Sequence, residues 1–330
     1  MEPLFKEADN KIIKLSEKIM ALRKRPLLIL DLENVAYWTT IRLENELKGK
    51  KLSKLDVLLN APMGGRIEPA FNIVKLIRKH AEAVEMIIPY RAKSAGTLIC
   101  LGADKLLMNT TAELGPLDTQ NRIHKEEEFE STQNIFKALE QIQQHALDGF
   151  NSAITTIKKR NHNLKIDDVV KLAAMFSGQT CSSLYNKIDP EMLGEYARLL
   201  EMCEKYVFEV LIRYAGRDYE DAKKVTKKLV YGYPNHNFII DIQESEKLGL
   251  PAEEVSDDIK EIIDDLKIEL REKDLTRQSF LLETGISYQE KRRWSLIKLL
   301  EYPTKETPEK NKPVQKPKET EVVDKNIEKK

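Results

Sequence analysis

No window of the 330 residues approaches the ~20 uninterrupted apolar residues that a membrane-spanning helix needs, so none is expected. The longest apolar stretches, such as Leu27 to Leu30 and Val84 to Pro89, have the length of buried strands. The first residues, MEPLFKEADNKIIKLSEKIMALRKR, scatter acids and lysines and lack an apolar h-region, which argues against a secretory signal. A cytoplasmic protein is expected. Cysteine is scarce: Cys100, Cys181 and Cys203 form no CxxC pair, so neither a disulfide framework nor a zinc knuckle is expected. The five histidines (His80, His124, His145, His162, His236) make no HExxH or other close ligand pair, and no metal is expected. Charge of one sign is missing too, with 54 Lys plus Arg against 54 Asp plus Glu. Such a chain has no overall field to draw nucleic acid, so no nucleic-acid partner is expected. There is no GxxxxGK[ST], and no GxGxxG follows a strand, which leaves no cofactor implied.

What is present is alternation. Residues 4 to 25 carry apolar side chains at helical spacing. From Pro26, short apolar runs (PLLILDL, LDVLLN, VEMIIPY, KLLMN) alternate with amphipathic stretches (YWTTIRLENEL, IEPAFNIVKLIRKH, SAGTLICLGA). Each strand-helix step is about thirty residues, the size of a βαβ unit, and predicts parallel strands with helical crossovers. After Gln120 strands almost vanish. Ser131 to Lys159 reads as one long helix capped by Ser131, followed by helices at Asp167 to Phe176, Pro190 to Tyr214 and Tyr219 to Leu229. YGYPNHNFIID reads as extended, Gln243 to Leu248 as a short helix, and residues 256 to 297 as a charged helical stretch. The end, from Tyr302, is Lys, Glu and Pro with little to bury, and predicts disorder. The expected division is an N-terminal helix over 1–25, an α/β domain over 26–251, a charged helical extension over 252–300 and a disordered tail over 301–330.

Chemistry concentrates in sixty residues: APMGGRIEPA (Ala61 to Ala70), AKSAGTL (Ala92 to Leu98) and AELGPLDTQ (Ala112 to Gln120). Each sits where a predicted strand ends, and in parallel sheets these ends open on one crevice. Gly64-Gly65 follows a strand and precedes a helix, where backbone without Cβ presents N–H groups closely to a ligand. Ser94 starts an apolar helix, with the Ala95 N–H free to donate to an anion. The alternative for Ser94 is a plain helix cap.

Strand, small-Pro-x-Gly-Gly, helix, strand, Ser-Ala-Gly-Thr, helix, strand, then LGPLDTQ resembles the Clp/crotonase superfamily. Within it the chain is similar to the serine dehydrogenase proteinase family, peptidases related to signal peptide peptidase A. The resemblance is close over Leu55 to Gln120 and resumes at IDPEMLGEYARL and YPNHNFIIDIQESEKLGLP. It implies a Clp/crotonase-like core of repeated β-β-α and βαβ units, a serine endopeptidase activity on peptide or protein substrates, and homo-oligomers. It also leaves room for peripheral membrane association.

Residue by residue, the resemblance makes Ser94 the nucleophile and gives the oxyanion hole to the Gly65 and Ala95 amides, supported by Gly64 and Gly96. Clp proteases place a catalytic histidine where this chain has Leu114-Gly115-Pro116, so a Ser-His-Asp triad is not implied. Relatives resembling signal peptide peptidase use lysine as base, because desolvation lets a lysine give up its proton near neutral pH. Lys137, in the otherwise weakly charged TQNIFKALEQI, is the first choice; Lys125 and Lys187 compete, and His124 stands in reserve. His236, in YPNHNFI, matches a similar segment of relatives and suggests a supporting role. Two other readings remain: an inactive Clp-fold scaffold, and crotonase-type acyl-CoA chemistry, for which no glutamate pair is evident.

Overall fold

The computed structural model describes residues 2–117, 120–122, 129–284 and 294–303. Lys125 and His124, the Asp118 of the GPLD turn and nearly all of the expected tail lie outside them. The strands β1 (Leu27–Asp31), β2 (Leu52–Asn60), β3 (Ala81–Ile88), β5 (Lys105–Met108) and β9 (Ala252–Glu254) run parallel. With antiparallel β10 (Leu296–Leu300) they form one sheet in the order β10-β1-β2-β3-β5-β9. Both faces are covered, which is why β1 is buried at all five positions and reads as a continuous apolar run rather than an alternating one.

One face packs against α2 (Tyr37–Leu47), α3 (Ile67–His80), α4 (Ala95–Leu101), α7 (Pro190–Arg213) and α8 (Tyr219–Tyr231), around Leu28, Leu30, Val57, Leu59, Ile73, Leu98, Val207 and Leu229. The other packs against α1 (Glu2–Arg23) and α10 (Asp257–Thr284) through Ile12, Ile19, Ile29, Leu58, Ile263 and Leu266. Truncating one such fully buried Leu or Ile to Ala would cost about 2–5 kcal/mol.

The α/β expectation is borne out, with two differences. Both edges of the sheet come from beyond residue 251: β9 lies beside β5, and β10 forms where the sequence predicts the end of a charged helix. Short edge strands carry too few residues to show a period. The long helix α5 spans Gln133–Arg160 and its cap position is Thr132, with no side-chain cap bond; Ser131 instead ends the strand β8 (Phe129–Ser131), so the cap expected at Ser131 is corrected.

Candidate active site

Beyond β3 the chain turns into β4 (Arg91–Ala92), which pairs in parallel with β6 (Glu113–Leu114). Ser94 follows at the start of α4, with φ 48 and ψ −115. Among the described residues only Lys24 shares a positive φ without being glycine. Such backbone costs on the order of 1–3 kcal/mol and persists only where neighbours impose it. Here Lys93 N donates to Ala61 O (3.1 Å), Gly96 N to Lys93 O (2.8 Å) and Leu98 N to Ser94 O (3.2 Å). Ser94 makes no cap hydrogen bond and stays partly exposed, so its hydroxyl is not consumed in ending the helix.

The Gly64-Gly65 turn closes on this serine. Gly64 has φ 65, and a Cβ there would lie 2.7 Å from Ser94 Cβ, 2.9 Å from Lys93 O and 3.3 Å from Ser94 Oγ. Gly65 has φ 140, and a Cβ there would meet Asn34 Oδ1 and the Val35 backbone. Val35 N donates to Gly64 O (2.7 Å) and Arg66 N to Val35 O (2.8 Å). In this parallel bridge the flanking residues make the bonds, so the N–H of Gly65 itself points away from Val35. Ala95 is the first residue of α4, whose N–H has no intrahelical acceptor. Gly96 packs close against β2's continuation, where a Cβ would sit 3.0 Å from Ala61 Cβ.

The LGP segment is fastened to the same helix. Thr97 Oγ1 lies 2.8 Å from Ala92 O and 2.9 Å from Gly115 O, two acceptors for its one proton, and accepts from Gly115 N at 3.0 Å. Lys93 Nζ donates to Leu114 O at 3.1 Å and pairs with Glu113 at 2.9 Å. Burial pulls the Lys93 ammonium below its usual value, Glu113 works against this, and Arg91 adds to it. Lys93 adjoins Ser94 and pairs with the glutamate of AELGP, a contact that nothing in the local sequence marks.

Lys137 is exposed, and its Nζ donates to Pro234 O at 3.1 Å. Pro234 belongs to the segment that reaches Ile240, which exchanges backbone bonds of 2.9 and 3.1 Å with Leu114. The partner of Lys137 is thus in the loop that abuts the LGP segment. His236 is partly buried in that loop, and Lys187 is exposed in the turn before α7. Among the described residues no lysine or histidine nitrogen hydrogen-bonds the Ser94 hydroxyl. No cluster of three or more His, Cys, Asp or Glu suited to a metal occurs among them either.

Residues 40–175 match the family of ClpP-like SDH-type serine proteinases, a span that contains Gly64, Gly65, Ser94, Ala95 and Lys137. The match bears out the resemblance carried by the motifs of that segment. Two uncharacterized proteins of Methanocaldococcus jannaschii are similar. One is 26% identical over 199 residues, 60% of this chain and 53% of its own length. The other is 35% identical over 66 residues, 20% of this chain and 22% of its own. The chain therefore spans about half the length of the first and less of the second. Solved structures with likeness include a membrane-bound stomatin-specific protease, 1510-N, at 14% identity and TM-score 0.39 over 69% of this chain and 78% of that one. ClpP1 from Listeria monocytogenes matches at 14% identity and TM-score 0.38, over 74% of this chain and 99% of its own.

Proposed function

We propose that the chain is a serine endopeptidase that cleaves peptide bonds through a Ser94 acyl-enzyme with a lysine base. The observation that carries this reading is the backbone of Ser94: a positive-φ serine between a strand and a helix, with no cap bond and with glycine closing over it. A structural serine has no need of this strain. In the reaction, Ser94 Oγ bonds to the carbonyl carbon while the base takes the hydroxyl proton. The oxygen that gains charge is held by the Gly65 and Ala95 amides, donors of a kind worth ~3 kcal/mol each. The C–N bond then breaks, the amine leaves with the proton from the base, and water repeats the sequence on the acyl ester.

Lys137 is the base in this reading, within the family-matched span and on α5, from which its Nζ reaches Pro234 O in the loop beside Leu114. It serves once its Nζ leaves Pro234 O and turns to the Ser94 hydroxyl. Gly64 and Gly96 support the geometry by close approach, and His236 supports it through the loop that holds Pro234. The chemistry needs no cofactor or metal.

A homo-oligomer belongs to the same reading. Helix α6 (Ile166–Tyr185) buries only Val169, Ala173, Ser177 and Cys181, along one line, and leaves Leu172, Met175 and Phe176 about half exposed or more, at 48%, 60% and 54%. Large apolar side chains so displayed favour a protein partner or a membrane surface over free water. Three buried cysteines, none of them in a disulfide, suit a reducing, cytoplasmic setting.

A second reading, a Clp-fold scaffold with weak or no catalysis, is favoured by one observation: Lys137 is exposed and bonded to Pro234 O. Hydrolysis of an unfolded polypeptide separates the two. The parent cleaves and Ser94→Ala does not; equal rates for both would end the peptidase reading.

A further inference from the structure

At the crevice ends of β1 and β2 lies a charged cluster that the serine chemistry does not use. Asp31 ends β1 and Asn60 ends β2, each 1% exposed. Asn60 Nδ2 donates to Asp31 Oδ1 (2.9 Å) and to Asp274 Oδ2 (3.3 Å), whereas its Oδ1 is buried without a partner. The residue is held by its donor. Asp31 also accepts from Lys273 Nζ (2.5 Å) and from both Arg277 terminal nitrogens (2.8 and 3.2 Å). Arg277 donates to Asp274 (2.5 Å) and to Trp294 O, and Lys273 reaches Asp9 of α1 (2.5 Å). Glu33, also buried, lies just past Leu32 beyond the end of β1.

Burying so many charges is an inefficient route to stability, since apolar replacement of such groups is often neutral or better. What the cluster supplies is a fixed orientation at one point. The next residue, Ala61, carries both halves of the candidate site. Its O accepts from Gly64 N (3.2 Å) and Lys93 N (3.1 Å), and its N donates to Arg91 O (2.8 Å). Leu32 N, donating to Asn60 O (2.8 Å), ties in the strand whose continuation bridges Gly65.

We propose that Asn60 is a positioning residue: gripped by Asp31 and Asp274, it sets Ala61 and through it the spacing between the Gly64-Gly65 turn and Ser94. The proposal deepens the serine-peptidase reading and rests on it. Through Arg277, Lys273 and Asp274, helix α10 thereby acts on a site that it does not touch.

The test compares the full-length parent with Asn60→Ala and the isosteric Asn60→Asp. It measures the rate of Ser94 phosphonylation by a fluorophosphonate, in which the Oγ–P bond forms as fluoride leaves, and hydrogen exchange over 61–65 and 91–96. Asn60→Ala should be labelled at least tenfold more slowly in the maximal rate, at a similar half-saturating probe concentration, with faster exchange in both segments and little change in α7 or α8. Asn60→Asp places a carboxylate against Asp31 and Asp274, with Lys273, Arg277, Asp9 and Glu33 as the other charges around it. It regains a donor only when protonated, so its rate relative to the parent should rise as pH falls from 8 to 5. An unchanged rate and unchanged exchange in Asn60→Ala, or a pH-independent ratio for Asn60→Asp, overturns the proposal. If the parent itself takes no label, the peptidase reading fails, and the exchange data alone decide whether Asn60 orders the two loops.

Discussion

Replacing Gly64 by alanine tests the closest approach in the site. At φ 65 an added methyl costs about 1–2 kcal/mol in backbone alone. It would also stand 2.7 Å from Ser94 Cβ and 2.9 Å from Lys93 O, distances that only movement relieves. Neither neighbour is a flexible tip: Lys93 O accepts from Gly96 N, and Ser94 O from Leu98 N. The clash adds about 1–3 kcal/mol, as overpacking does elsewhere. Together the terms come to about 2–5 kcal/mol, measured by denaturant unfolding. The serine is driven from the glycine turn, and a shift approaching 1 Å costs ~100-fold in rate. Fluorophosphonate labelling reads that loss. Gly49→Ala is the control: its φ is 75 with nothing within 4 Å of an added Cβ, so it carries the backbone cost without the contact and should label as fast as the parent. Equal labelling of Gly64→Ala and the parent would mean that this contact does not set the position of Ser94.

Lys137→Ala should slow hydrolysis by ~10²–10⁴, the usual worth of a general base, while Lys93→Met keeps a larger share of activity; the reverse order would move the base to Lys93. Asp274 is pushed up to about 6 from 3.8, by burial and then by Asp31, against the pull of Arg277. Between those values the folded chain holds a proton that the unfolded chain has released, so this group makes stability fall as pH rises, by about 3 kcal/mol in all. Asp274→Asn should flatten that part of the unfolding profile between pH 4 and 6; an unchanged slope counts against the shift. Asp31 behaves oppositely: burial would raise it, but Arg277 and Lys273 outweigh that and hold it down, so its contribution is lost as pH falls below about 4. Phe176→Asp should lower the assembly state in size-exclusion chromatography with light scattering, and an unaltered mass would remove α6 from the interface.

Several elements were legible because their signals are local. YWTTIRLENEL and IEPAFNIVKLIRKH became α2 and α3 with those very ends, since each lies between a strand and a turn and carries a helical apolar face. Gly64-Gly65 and Ser94 were legible as two motifs at strand ends, and the structure adds what spacing cannot: the strained serine and the contact between the motifs. Other features depend on distant chain. Asn60 looked like the last letter of an apolar run, and nothing in its neighbourhood announces a partner 214 positions later. β10 pairs with β1 across most of the chain, so no short-range period marks it. Lys137 was chosen by resemblance, and its partner Pro234 lies 97 positions away.

Covalent mapping shows whether Ser94 is a nucleophile. The full-length chain is treated with a fluorophosphonate, digested and sequenced by mass spectrometry, beside Ser94→Ala. One stoichiometric adduct is expected, on the peptide containing Ser94, and none in the variant. An unlabelled parent, or an adduct that persists in Ser94→Ala, would contradict it.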